Sequence, residues 1–128
     1  MANPIDPEQR LQTIVRAHSI AGFLTLFSGM GCWMLSRSLW TTLTTGKVAA
    51  NQEQAMYVIM IFLGVYAFLC LLHGVLMMLN GRWIERRVSF DRVYLVAAVN
   101  AIIAPVGTLL FVYTAMNLSK PEIKALFS

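Results

Sequence analysis

"NAIIAPVGT", Asn100 to Thr108, lies inside an almost wholly apolar run from Val93 to Leu118, and places an amide, a proline and a glycine within eight positions. Pro105 has no N–H, so in a continuous helix the carbonyl of Ala101 loses its partner, and an unsatisfied polar group in hydrocarbon costs several kcal/mol. The run must therefore bend, with the bend turned toward protein or water. Two half-helices folded as a re-entrant hairpin would each hold about 12 residues and reach roughly 18 Å, short of a bilayer core about 30 Å thick. A single helix kinked at Pro105 spans that core, and this is the architecture the lengths favour. Gly107 then admits a neighbouring helix close to the bend, and the Thr108 hydroxyl bonds back to the Ala104 carbonyl.

Two further apolar runs, Ala17 to Leu35 and Ala55 to Leu79, also meet the roughly 18-residue threshold for crossing a bilayer. The composition agrees: 58% of the 128 residues are hydrophobic and 12% charged, against about 25% charged in ordinary soluble domains. The predicted fold is an all-α integral membrane protein, a single domain over 1–128. It has three transmembrane helices, at 8–37, 54–80 and 91–118, and short amphipathic segments at both ends.

Local signals place the ends. Asp6, Pro7 and Glu8 read as an N-cap, a proline at the first helical position and an acidic first turn. Asn80 and Gly81 suit the end of the second helix. Ser119 and Glu122 have capping-box spacing before Ile123, Leu126 and Phe127, which predicts a short interfacial helix over 120–127 on the outer side. Ala17, Ala21, Thr25 and Gly29 form a ridge of small residues on which another helix can pack closely. The polar start "MANPIDPEQRLQ" lacks the pattern of a cleavable signal, so the first helix is expected to remain in the mature chain.

Lys and Arg near helix ends are retained on the cytoplasmic side. Arg10, Arg16, Arg82, Arg86, Arg87 and Arg92 stand against Arg37, Lys47, Lys120 and Lys124, which predicts the N-terminus inside and the C-terminus outside. The same second-loop arginines, Arg82, Arg86, Arg87 and Arg92, are candidate contacts for anionic lipid headgroups. They also account for the basic charge without nucleic acid.

Three polar residues fall at similar depth, each within about 10 Å of the cytoplasmic interface by helical rise: His18, His73 and Asn100. They read as a structural polar cluster joining helices by hydrogen bonds, with His18 near the headgroups. The alternative is a haem held between His18 and His73 in an electron-transfer subunit. Met30, Met34, Met56, Met60 and Met116 gather toward the outer half, where soft sulfur would suit Cu(I), but no clustered Met or Cys motif accompanies them, so they read as apolar filler. Cys32 and Cys70 are placed at different depths, too far apart for a disulfide. All six acids lie outside the spans or at their edges, which leaves no buried carboxylate for a proton relay or ion-coupled carrier. The chain also lacks a phosphate-binding loop and a nucleophile with a converging base.

"HSIAG", "GVLMMLNGRW" and "NAIIAPVGTLLFVYTAMNLSKPEIKALF" resemble a set of small bacterial inner-membrane proteins without an assigned activity. The likeness rests on His18 with Gly22, Gly81 to Trp83, Pro105 to Thr108, Tyr113 with Thr114, and Ala125 to Phe127. Ala115 and Met116 depart from it, where an aromatic is expected after Tyr-Thr. The resemblance implies a bacterial inner-membrane location and names no chemistry. The expected role is that of a non-catalytic accessory or scaffolding subunit. Its partners would be membrane lipid, other membrane subunits or copies of itself, and it would carry no cofactor. A small channel is the third reading.

Overall fold

Helix α1 runs Pro7–Thr44 and α2 Ala50–Glu85, both well beyond their apolar cores. They are followed by α3, Phe90–Ile103, α4, Pro105–Leu118, and α5, Pro121–Lys124, which continues into a 3-10 turn over Ala125–Phe127. The computed structural model describes residues 6–46, 48–103 and 105–127, and no strand occurs among them. The Asp6 carboxylate accepts the Glu8 N–H at 3.3 Å, and Pro7 opens α1, as the N-cap reading expects. Gly46, with φ of 66°, closes α1 in the left-handed conformation that favours glycine.

The apolar run that begins the sequence reading is not one kinked helix. Ile103 ends α3 and Pro105 begins α4, and the chain reverses between them. Tyr94 and Phe111 lie with ring centres 5.7 Å apart, whereas 17 residues of straight helix would separate them by about 25 Å. Phe90 meets Phe127 edge to face at 5.8 Å. Pro105 thus occupies the first helical position, where its missing N–H costs nothing and its fixed φ suits a helix start. The Ala101 carbonyl is satisfied by the Thr108 hydroxyl, which donates to it at 2.7 Å; the expected bond to the Ala104 carbonyl lies outside the described residues. Gly107 permits the close approach: a Cβ there would overlap the Asn100 carbonyl. Arm length excludes a hairpin only where each half must span a bilayer.

The chain divides into two compact units, one of residues 1–23 and 73–128 and one of residues 24–72. The first holds a core of Leu11, Ile14, Ile84, Val93, Leu118 and Ile123, with Trp83, Phe90, Leu126 and Phe127 packed around it. Both ends of the chain therefore meet in one core. The segment after Pro121 packs with the start of α1 and the end of α2, which corrects its placement on the opposite, outer side. Lys120 is its N-cap and no side chain caps it, so the Ser119 capping box does not form. Helix α2 does not stop at Asn80 and Gly81. It ends in a Schellman turn in which the Val88 N–H reaches the Trp83 carbonyl at 2.9 Å, with Arg87 at φ 51°. Gly81 is instead a packing position, where a Cβ would lie 3.3 Å from the His18 Cβ.

In the first unit Gly22 packs against Gly74 and Met78; in the second, Gly29 packs against Ala67 and Cys70, and Ser36 donates to the Met60 carbonyl at 3.0 Å. Gly22, Gly29 and Ser36 recur every seven residues, as do Met60, Ala67, Gly74 and Gly81. Within each unit the small side chains let the helix backbones close in. The ridge of Ala17, Ala21, Thr25 and Gly29 is buried or half-buried throughout, and Gly22 packs closely beside it. Cys32 and Cys70 are free thiols.

A Cβ at Gly29 would come 2.9 Å from the Cys70 Cβ and 3.1 Å from the Ala67 carbonyl, while one at Gly64 meets only the Ser36 hydroxyl at 3.6 Å. Gly29→Ala is expected to cost about 1–3 kcal/mol, because the two helices must separate. Gly64→Ala should stay within about 0.5 kcal/mol. Thermal midpoints of the two variants in one detergent test the contrast, and equal midpoints would contradict it.

Candidate functional site: a buried polar cluster

Five polar side chains are buried in the first unit, none more than 2% exposed: His18 on α1, His73 and Asn80 on α2, Asn100 on α3 and Thr114 on α4. Helical spacing places the first three. His18 lies on the inward stripe of α1 with Leu11, Ile14 and Ala21, and His73, Met77 and Asn80 share the inward stripe of α2. His18 is sealed within the unit.

His18 Nδ1 lies 3.1 Å from the Ile14 carbonyl and its Nε2 lies 3.2 Å from the Asn80 amide nitrogen. A carbonyl only accepts, so the imidazole proton sits on Nδ1, and Nε2 accepts from Asn80. Asn80 has the residue type of a helix terminator, yet it is the partner of His18. The signal for it was available in its spacing: seven residues from His73, it falls on the same face of α2.

His73 and Asn100 come together at the first turn of α4 without bonding. A Cβ on Gly107 would lie 3.3 Å from His73 Cε1 and overlap the Asn100 carbonyl, so the imidazole edge and that backbone group border the same glycine. Both ring nitrogens of His73, the Asn100 amide, the Asn80 Oδ1 and the Thr114 hydroxyl are buried without a hydrogen-bond partner. The expected His73–Asn100 hydrogen bond is absent from the arrangement, and proximity stands in its place. Pro105, Gly107 and Thr108 act together as predicted, but in a reversal of the chain rather than a kink.

These positions do not fit a haem held by two histidines. An axial imidazole needs its Nε2 lone pair free for iron, and the His18 lone pair is directed at Asn80. The candidate sulfur ligands are no better arranged, since Met30, Met34 and Met116 are each more than half exposed.

No protein family, curated protein or solved structure matches the chain. Outside the buried cluster, Arg87 pairs with Glu8 and ties the α2–α3 turn to the start of α1, while Arg82, Arg86 and Arg92 are exposed. The first unit gathers eight of the ten basic residues, the six arginines 10, 16, 82, 86, 87 and 92 together with Lys120 and Lys124; only Arg37 and Lys47 fall between 24 and 72.

Asn80→Leu leaves the His18 Nε2 buried and unpaired, and is expected to lower stability by about 1–3 kcal/mol. Asn100→Leu removes an amide that has no partner and should change stability by less than about 1 kcal/mol, since an apolar replacement leaves nothing unsatisfied. Thermal denaturation of both variants in detergent tests this ordering. The reverse order, with Asn100→Leu the worse, would mean that the Asn100 amide does have a partner.

Proposed function

We propose that the chain is a non-catalytic integral membrane protein, a small accessory or scaffolding subunit of a membrane assembly or of a homo-oligomer. In this reading α1 and α2 cross the bilayer. The α3–α4 hairpin, of 14 residues in each arm and about 21 Å deep, enters from the face bearing both termini and returns to it. The observation that carries the reading is where the apolar side chains point. The apolar windows of α1 and α2 have mean hydropathy 1.4 and 2.5, yet only 17% and 11% of them are buried. A core helix of a soluble protein would hide such a surface; these present it outward, as lipid-facing or subunit-facing helices do. Polar chemistry is distributed the opposite way, sealed inside the first unit and out of reach of a solute.

The interrupted helix supports the same placement. Irregular backbone at membrane depth is tolerated where it is buried in protein, and here the turn is flanked by Gly107, His73 and the Thr108–Ala101 bond. The concentration of basic residues in the first unit argues for that end being cytoplasmic, now with Lys120 and Lys124 on the same side as the arginines. The resemblance of the Pro-Val-Gly-Thr segment and the Ala-Leu-Phe ending to small bacterial inner-membrane proteins supports a location in that membrane.

Gentle detergent extraction followed by native mass measurement tests the role. A complex larger than the 14.3 kDa protomer, with either further copies or a co-purifying protein, is expected. A lone protomer under mild conditions would remove the subunit reading. The absorbance of the same preparation gives an independent reading of the haem alternative: a Soret band would revive it, and a colourless protein leaves the accessory role standing.

A further inference from the structure

A groove of about 530 Å³ runs along the outward face of α3 and over the α4–α5 junction. It is lined by two opposite charges, Asp91 in the first turn of α3 and Lys124 at the end of α5, and by Ser119. The rest of the wall on α3 includes Tyr94, Leu95 and Ala98, one and two turns farther along the helix from Asp91. Lys124 is positioned by the Phe90 ring, 5.2 Å from Nζ to the ring centre. Asp91 and Lys124 line one groove but do not pair with each other; among the described residues the one ion pair joins Arg87 to Glu8.

We propose that this groove is a binding site for one phospholipid with a primary-ammonium headgroup, phosphatidylethanolamine. Its phosphate would lie on Lys124 and Ser119, its ammonium on Asp91, and the start of an acyl chain along Tyr94, Leu95 and Ala98. The inference rests on the membrane reading above. Charge complementarity selects the occupant. Two charges of opposite sign that share one cleft without pairing with each other match a zwitterion, and an apolar ligand would leave the Asp91 carboxylate without a counter-charge and Lys124 with the Phe90 ring alone. A glycerol headgroup offers its phosphate to Lys124 but gives Asp91 no cation, and the carboxylate then repels the lipid's net charge. A choline headgroup carries a positive charge with no N–H to donate, so it forgoes the charge-assisted hydrogen bond that an ammonium makes to a carboxylate. The order along α3, charged at its first turn and apolar in the next two, is that of a lipid entering from the headgroup layer. Asp91 also favours the start of α3 through the helix dipole, a role that asparagine, a good helix-start residue, largely preserves.

The full-length protein in nanodiscs of equal phosphatidylethanolamine and phosphatidylglycerol, with matched acyl chains, provides the test. Native mass spectrometry after release is expected to find one retained lipid, with the ethanolamine form favoured about tenfold, the size of one good charge-assisted hydrogen bond. Asp91→Asn should bring the two lipids to near parity while a lipid is still retained. Lys124→Gln should reduce retention of both about tenfold, and Ala98→Trp, which fills the groove, should abolish it. Circular dichroism and thermal midpoints establish that each variant is folded. Equal retention of the two lipids by the unmodified protein, or an unchanged preference in Asp91→Asn, would overturn the site and leave the membrane reading intact. Failure of the protein to enter any nanodisc would instead overturn the membrane reading itself.

Discussion

Gly107→Ala is expected to cost about 3 kcal/mol or more, at the upper end of what overpacking a close contact costs, although it adds a single methyl group. The added Cβ would overlap the Asn100 carbonyl and come 3.3 Å from His73 Cε1. The first obstacle is backbone, which cannot rotate away as a flexible side chain can. Relief requires the two arms of the hairpin to part, and that stretches the Thr108–Ala101 hydrogen bond and the Tyr94–Phe111 ring contact. Gly31 is the control, because a Cβ there meets nothing within 4 Å. Gly31→Ala should be neutral or stabilise the helix by up to about 1 kcal/mol, from helix propensity alone. In the same detergent the thermal midpoint of Gly107→Ala should therefore fall, while that of Gly31→Ala stays unchanged or rises. A Gly107→Ala protein as stable as the parent would show that the hairpin is not closed in this way.

Cysteine labelling should place both ends of the chain on one face of the membrane. In a Cys32→Ala, Cys70→Ala background, cysteines at Ser89, before α3, and at Glu122, in α5, are expected to resist an impermeant thiol reagent applied to intact cells. A cysteine at Thr45, at the α1–α2 connection, should react. All three positions are exposed on the protein, so the membrane alone separates them, and the difference should be all or none. Leu118 and Ile123 share a core with Leu11, Ile14 and Ile84, so the C-terminal segment accompanies the N-terminus wherever that goes. Eight of the ten basic residues lie in that same unit, and basic residues are retained on the cytoplasmic side. Reaction at Glu122 with protection at Ser89 would restore a third membrane crossing.

Much of the candidate site was legible because burial follows helical period. His18, His73 and Asn100 were singled out by apolar surroundings and similar depth, and all three are buried in one unit. Asn80 was missed because its residue type signals a helix end as readily as a buried donor, and only its seven-residue spacing from His73 separates the two. The ridge of small residues on α1, Ala17, Ala21, Thr25 and Gly29, is a packing surface, and Gly22 beside it makes a close contact with α2 that spacing alone does not single out.

Composition and apolar run length by themselves determined that the chain is helical, that α1 and α2 are long and apolar enough to cross a membrane, and that Pro105 interrupts the last apolar run. Each of these is a local property: hydrophobic periodicity, chain length and the missing N–H act within one segment. The sense of the interruption was not local. Pro105 is compatible with a kink and with the first position of a new helix, and the energetic demand it creates, a partner for the Ala101 carbonyl, is the same in both. Only the tertiary structure decided it. The Thr108 hydroxyl supplies that partner across the turn, Gly107 lets the returning helix touch the Asn100 carbonyl, and the shared core of Val93, Leu118 and Ile123 with Leu11, Ile14 and Ile84 draws the C-terminal segment back to the N-terminal one. Contacts between residues more than a hundred positions apart in sequence hold that reversal, and no segment read alone contains them.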